Sequence, residues 1–212
     1  MSNLRILIAD DHALFRSGLR EIIAEFEGVV KIDEAASGPE VLKKFNESKF
    51  DCVLLDIYMP GSHGIEILKQ LKSINPRVHV LILSMYPEDQ YGIRALKAGA
   101  SGYLTKNATP GILREAVGRV CKGLKYIPPS LVEILCGEIQ SGGGGRLHDR
   151  LTDRELQILT MIASGKTVSQ VARDLYLSAK TISTHRANIL RKTGLKNNSE
   201  LIRYAVKNSL VI

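Results

Sequence analysis

The sequence predicts an α/β fold, a doubly wound parallel sheet of five strands, followed by a small all-α domain of four helices; three observations carry this. Apolar runs at residues 4–9, 29–32, 52–55, 78–83 and 102–104 each precede a helical pattern, and such βα alternation requires a parallel sheet with right-handed crossovers. Ser141 is followed by four glycines, Gly142 to Gly145, which have no side chains to pack and read as a hinge between folded units. Beyond that hinge only helical spacing recurs. The expected division is a first domain over residues 1–122, a linker with a short helix and the glycine hinge over 123–146, and a second domain over 147–212.

Each element has its own signal. The first strand ends on the adjacent acids Asp10 and Asp11, the third run (Cys52 to Leu55) on Asp56, the fourth on Ser84, and the fifth is followed by Thr105 and Lys106. Ligands of doubly wound sheets bind beyond the carboxyl ends of the strands, so these five side chains become neighbours on folding. The fifth βα unit ends near Lys122, after which Tyr126, Pro128 and Pro129 break the pattern before a short apolar helix from Leu131 to Ile139. Thr152 with Glu155 three residues later is a capping box that opens the next helix, and Gly165 closes it. Val168, Val171, Ala172 and Leu175 repeat at helical spacing; Tyr176, Leu177 and Ser178 interrupt, and Ile182, Ile189 and Leu190 resume. A short helix, a tight turn and a longer basic helix capped by Ser178 result. A last helix from about Ser199 to Lys207 places Leu201, Ile202, Ala205 and Val206 on one side.

At 212 residues, with 44% hydrophobic and 24% charged content, the chain can bury two modest cores without staples and is not expected to be disordered. No apolar run approaches the ~20 residues of a spanning helix and Leu4 to Ala9 is too short for a signal-peptide core, so a soluble, cytoplasmic protein with no membrane partner is expected. Cys52, Cys121 and Cys136 form no CxxC pair and read as reduced, structural residues. The net charge of +7 is unevenly spread: residues 1–121 carry 15 Lys/Arg and 15 Asp/Glu, residues 122–212 carry 14 and 7. Within residues 176–196, Lys180, Arg186, Arg191, Lys192 and Lys196 stand without any acid, a field that favours nucleic acid or an anionic membrane over acidic small molecules.

A single aspartate after a strand is usually a cap or turn residue, and a single lysine there is usually solvated; the combination points to chemistry. Three carboxylates at one sheet edge repel each other, and a hard divalent cation such as Mg²⁺ offsets that. With the cation bound, Asp56 stays ionised and can attack a phosphoryl group to form an acyl phosphate. Lys106 can set an ammonium, and Ser84 a hydroxyl, against the phosphoryl oxygens.

The segments IADDHALFRSGL at 8–19, LLDIYMPGSHGIEIL at 54–68, ILSM at 82–85 and GASGYLTK at 99–106 resemble the flavodoxin-like (βα)5 receiver domain of two-component response regulators. LTDRELQILTMIASG at 151–165 and LSAKTISTHRANILRKTGL at 177–195 resemble the LuxR-type helix-turn-helix domain, in the order seen in the NarL/FixJ class. The resemblance implies a DNA-binding transcription regulator rather than a turnover enzyme, with no catalytic residues beyond self-catalysed phosphotransfer and dephosphorylation. It makes Asp56 the phosphoacceptor of a sensor histidine kinase, puts Mg²⁺ on Asp10, Asp11, Asp56 and the Tyr58 carbonyl, and gives the readout to Ser84, Tyr103 and Lys106. Where many relatives have proline after the lysine this chain has Asn107, and where they often have proline at the start of the tail's first helix it has Asp153. Tyr58 and Tyr86, two residues past Asp56 and Ser84, occupy positions that in the family govern the approach of water, and two bulky rings there imply slow hydrolysis. A haloacid-dehalogenase phosphatase would need a D-x-D pattern that the adjacent Asp10 and Asp11 do not provide, and a ligand-sensing LuxR-type regulator would not need the five-residue constellation.

In the tail, the early turns of the basic helix would enter the major groove of double-stranded DNA. Lys180, Thr181, His185, Arg191 and Lys192 suit phosphate contacts, Ser183, Thr184 and Asn188 suit base edges, and Arg186 lies among them. One such domain reads few base pairs, so an active homodimer on paired promoter half-sites is expected. The resemblance offers the Leu201, Ala205 and Val206 face as a tail-to-tail surface; the alternative is that this stripe closes the four-helix core.

Overall fold

The computed structural model describes residues 3–59, 62–140 and 146–211; the expected Gly142–Gly145 hinge lies outside the described residues. The chain divides into two compact units, Met1–Ile139 and Gln140–Ile212.

The first unit is built on a five-stranded parallel sheet in the order β2-β1-β3-β6-β7, formed by β1 (Leu4–Ala9), β2 (Val29–Ala35), β3 (Cys52–Asp56), β6 (His79–Ser84) and β7 (Gly102–Thr105). Two short strands, β4 (Tyr58–Met59) and β5 (Ser62–His63), pair antiparallel just beyond β3. The helices are α1 (Ala13–Ala24), α2 (Gly38–Glu47), α3 (Gly64–Ile74), α4 (Glu88–Lys97) and α5 (Pro110–Cys121). Central strands are buried on both faces, which is why β3 reads as an unbroken apolar run: Cys52, Val53, Leu54 and Leu55 are all fully buried. In α5, Leu113, Ala116, Val117 and Val120 follow the helical period and face the sheet, each large aliphatic contributing about 1.5–3 kcal/mol on burial. The edge strand β2 runs three residues past its apolar signal. Its acids are held from the side, Asp33 by Lys31 at 2.6 Å and Glu34 by Arg16 and Arg20 at 3.4 and 3.1 Å, so the apolar count stops short of the hydrogen-bonded ladder.

After α5 the chain turns at Gly123 (φ 79°), Tyr126 bridges to Gly102 beside β7, and α6 (Pro129–Gln140) follows. The expected helix at 131–139 is therefore present, and Leu131 at its start is fully buried within the first unit. Cys52 and Cys121 are buried free thiols, whereas Cys136 lies on the surface of α6. Each described peptide bond is trans, Lys106–Asn107 included.

The second unit opens with a 3₁₀ turn at Leu147–Arg150, followed by α7 (Asp153–Ala163), α8 (Val168–Asp174), α9 (Ala179–Thr193) and α10 (Asn198–Lys207). The Thr152/Glu155 box closes reciprocally: Glu155 Oε2 accepts from Thr152 N at 2.9 Å and Thr152 Oγ1 accepts from Glu155 N at 3.3 Å. Thr167 and Gln170 make a second such box for α8. The α8–α9 turn is tight enough to put Tyr176 at φ 55°, a conformation costly outside glycine. Ser178 accepts from Thr181 N at 3.0 Å, and Gly194 ends α9 in the left-handed region. Leu156, Leu159, Val171, Ile182, Ile189, Leu201 and Ala205 form the buried interior. Leu201 and Ala205 thus close the four-helix core, while Ile202 and Val206 remain on the surface. His148 is buried in the 3₁₀ turn, its Nδ1 lies 2.7 Å from the Tyr204 hydroxyl of α10, and its backbone N–H donates to the same oxygen at 3.2 Å. Among the described residues no helix is long and apolar enough to cross a membrane.

Candidate functional site

The carboxyl ends of β1, β3, β6 and β7 bring Asp10, Asp56, Ser84 and Lys106 to one edge, as the strand endings predict. Asp10 and Ser84 are wholly buried and Asp56 nearly so; Asp11 is exposed. The Lys106 ammonium sits between two acids, 2.6 Å from Asp10 Oδ2 and 2.6 Å from Asp56 Oδ2. Its backbone N–H donates to the Ser84 carbonyl at 2.7 Å, which locks the ends of β6 and β7 together. The half-buried Phe15 ring lies under the same ammonium, 5.0 Å from its centroid, so this aromatic packs at the site as well as against the core. The other Asp56 oxygen accepts from Tyr58 N at 3.3 Å, and Asp10 Oδ1 accepts from His12 N at 2.9 Å.

Burial pushes the Asp56 carboxyl up to about 6; the Lys106 ammonium pulls against that rise and the Asp10 carboxylate adds to it. Burial alone would lower the Lys106 ammonium, yet Asp56 and Asp10 outweigh it and hold lysine above its ordinary value. Ligand atoms of Asp10, Asp11, His12 and Asp56 all lie within 4.8 Å of one another, and a set dominated by carboxylate oxygens fits a hard divalent cation. The acidic pocket is therefore suited to Mg²⁺. His12 was not anticipated as part of it; its signal is its position directly after the acid pair, from where Nδ1 reaches Asp11 Oδ1 at 2.8 Å.

Ser84 Oγ accepts from Tyr86 N at 3.0 Å. Tyr103 is fully buried in β7 and its hydroxyl donates to the Tyr86 carbonyl at 2.8 Å, while burial pushes its phenol far above the usual range. The rings of Tyr58 and Tyr86 lie 4.8 Å apart, and both touch Tyr91 of α4, at 5.9 and 5.6 Å; the Tyr58 and Tyr91 hydroxyls are hydrogen-bonded. Sequence reasoning found Tyr58 and Tyr86 but not Tyr91, which looks like any apolar-face residue of a helix. It also passed over Gly64, where a Cβ would lie 2.3 Å from the Asp56 carbonyl oxygen. A side chain there would push α3 off the end of β3, where Asp56 sits.

In the second unit, Lys180, Ser183, Thr184 and Arg191 are exposed on α9, and Thr181, His185, Arg186, Asn188 and Lys192 are half-buried. Some are engaged internally. Arg186 Nε donates to Asn198 Oδ1 at 2.6 Å, tying α9 to α10, and Arg191 Nη2 donates to Asn188 Oδ1 at 3.4 Å. Lys192, expected at a phosphate, places its ammonium 2.6 Å from the Glu155 carboxylate, whose side chain is 4% exposed. Burial opposes ionisation of Glu155, but Lys192 and the Thr152 hydrogen bonds prevail and keep it below the usual glutamate value. Lys192 thus balances a buried charge of the capping box.

Residues 6–118 match the family described as response regulator receiver domain, and residues 149–205 match the bacterial regulatory proteins of the luxR family. The chain is 35% identical to response regulator GacA of Pseudomonas viridiflava over 209 residues, covering 98% of each chain. It is 34% identical to the oxygen regulatory protein NreC of Staphylococcus carnosus, covering 98% of this chain and 99% of that one. Among solved structures, RcsB from Salmonella enterica serovar Typhimurium, bound to promoter rprA in the presence of a beryllofluoride phosphomimetic, superposes with a TM-score of 0.67 at 25% identity. That superposition covers 96% of this chain and 98% of that chain.

Proposed function

The chain belongs to the response regulators that join a receiver domain to a LuxR-family DNA-binding domain, and on that premise we propose that phosphorylation of Asp56 controls promoter binding by α9. It is a regulator of transcription rather than an enzyme with a turnover reaction. The observation that carries the site assignment is the Lys106 ammonium held 2.6 Å from both Asp56 and Asp10, beside an acidic set whose ligand atoms share one small volume.

In this reading Asp10, Asp11 and Asp56, with the Tyr58 carbonyl, would hold Mg²⁺, which would supply charge neutralisation at the site. A carboxylate oxygen of Asp56 attacks the phosphorus of a phosphohistidine on a sensor kinase. The O–P bond forms as the P–N bond breaks, and the departing imidazole keeps the electron pair and takes up a proton. Lys106 moves its ammonium from carboxylate to phosphoryl oxygen, and the Ser84 hydroxyl, now on the amide of Tyr86, donates to another. Because Tyr103 bonds the Tyr86 carbonyl, a shift at Ser84 is felt by Tyr103 and by the start of α4. Phosphorylation then biases a two-state equilibrium of the receiver.

The second unit would lay the first turns of α9 in the major groove, with Lys180, Thr181, His185 and Arg191 on phosphates and Ser183, Thr184 and Asn188 near base edges. Arg186 steadies the helix against α10 while remaining beside the backbone. RcsB has been solved as dimers on DNA, and two copies on paired half-sites are the active form proposed for this chain.

Mass spectrometry after incubation with acetyl phosphate and magnesium tests the first step, and an adduct at Asp56 is expected. DNA affinity of wild type and Asp56→Ala, with and without the phosphodonor, tests the switch. Identical affinities in all four conditions would refute it.

A further inference from the structure

Two glycines seat the segment that follows α5 against the part of the receiver where Tyr103 is buried. Tyr126 runs alongside the start of β7: its N–H donates to the Ser101 carbonyl at 2.9 Å, and its carbonyl accepts from Tyr103 N at 3.3 Å. A Cβ at Gly102 would lie 2.5 Å from that Tyr126 carbonyl oxygen, so the approach depends on glycine. The otherwise unpaired outer edge of β7 is thereby covered by the chain's own main chain. Five residues on, the Leu131 side chain occupies the space over Gly92 of α4, where a Cβ would meet Leu131 Cδ1 at 2.7 Å. The Pro128 carbonyl accepts from the N–H groups of Leu131 and Val132 at 3.0 and 3.1 Å, which fixes the start of α6 at this seat. Glycine is a poor residue for a helix interior, and what it gains at position 92 is the room for Leu131.

The two contacts fall on elements that hydrogen bonds join to Ser84 through Tyr86. Tyr103 gives its amide to Tyr126 and its hydroxyl to Tyr86, and Tyr86 lies in the segment leading into α4. We infer that α6 is the receiver's output element, docked by Tyr126 on β7 and by Leu131 on Gly92 of α4, and that phosphorylation strengthens this docking because it favours the buried position of Tyr103. The inference rests on the reading of Asp56 as phosphoacceptor. It commits the α4–β7 face to an intramolecular partner, residues 126–131 of the same chain, in place of a second protein.

The test is hydrogen exchange across residues 129–140 in the full-length protein, with and without acetyl phosphate and magnesium, alongside DNA affinity under the same conditions. In wild type the α6 amides should slow by about fivefold or more on phosphorylation, the lower end of ordinary coupling between sites. Leu131→Ala and, independently, Gly92→Ala should still accept a phosphoryl group at Asp56, which also reports that the receiver is folded. Both should lose the exchange response and bring the ratio of DNA affinities with and without phosphodonor towards one. Leu131→Met, which keeps the volume, and Val132→Ala, at an exposed neighbour, should retain both responses. An adduct at Asp56 with unchanged α6 exchange in wild type, or a full DNA switch in Leu131→Ala and Gly92→Ala, would overturn the inference and leave the phosphoacceptor reading intact. Absence of any adduct in wild type would overturn both.

Discussion

Asp56→Asn should make the magnesium-free protein more stable, because the ionised carboxylate is held in its site at a cost. Its side chain is 5% exposed, and burial raises its carboxyl from 3.8 to about 6 even with Lys106 at 2.6 Å. That rise corresponds to roughly 3 kcal/mol of destabilisation once the group is ionised in both folded and unfolded chains. Asparagine forgoes the pairing with Lys106, so a net gain of ~1–3 kcal/mol is expected. The sign follows from the raised value. Below about pH 4 the carboxyl is protonated in both states and costs nothing; stability is lost as pH rises from there through about 6; above that the loss is constant. The two proteins should therefore unfold alike near pH 4 and diverge by pH 7. Urea denaturation in EDTA measures this, with tyrosine fluorescence as the signal, since the chain has seven tyrosines and no tryptophan. An asparagine variant no more stable than wild type at pH 7.5, or a gap equal at pH 4.5 and 7.5, would refute the electrostatic account of the site.

Tyr58→Asn and Tyr86→Ala open the ring pair beside Asp56 and should shorten the phosphoprotein lifetime severalfold; unchanged lifetimes would show that the rings do not screen water. Lys192→Ala leaves the Glu155 carboxylate buried without its cation, at a cost of ~1–2 kcal/mol, less than for a fully buried pair because Lys192 is partly exposed. Because Glu155 is held below its ordinary value, that contribution is present above the unfolded-chain pKa and lost as pH falls through the folded one, so the variant and wild type should converge in acid melts. If about four to six phosphates are neutralised, log DNA affinity should fall with log salt at a slope of about −4 to −5; Arg191→Ala should reduce its magnitude by about 1, while Lys192→Ala should leave it unchanged.

The strand endings were legible because a parallel sheet gathers its carboxyl ends irrespective of sequence distance, so Asp10, Asp56, Ser84 and Lys106 could be grouped without coordinates. The caps at Thr152 and Ser178 were legible because a cap is local, its partner three residues away. Contacts across the chain were not. Lys192 reads as one more cation of a basic helix, and only the fold reveals Glu155 beneath it, 37 positions earlier. Leu131 reads as part of a short apolar helix with no evident partner, since nothing about Gly92 announces a socket. The face of the last helix was ambiguous between core and contact surface for the same reason. Leu201 and Val206, five positions apart, point about 140° from each other around the helix, so the core takes Leu201 and Ala205 and leaves Val206 to solvent.

The hydrogen bonds of His148 to Tyr204 span 56 positions and determine where the tail can be severed. A fragment beginning at Leu151 discards the buried imidazole and strips the Tyr204 hydroxyl of its His148 partners. A fragment beginning at Arg146 retains the clasp, together with the hydrogen bond from Arg146 N to Asp149 at 2.7 Å. Proteolytic separation or recombinant excision of the DNA-reading part thus has to fall ahead of His148, and a nick only a few residues downstream would yield a frayed product.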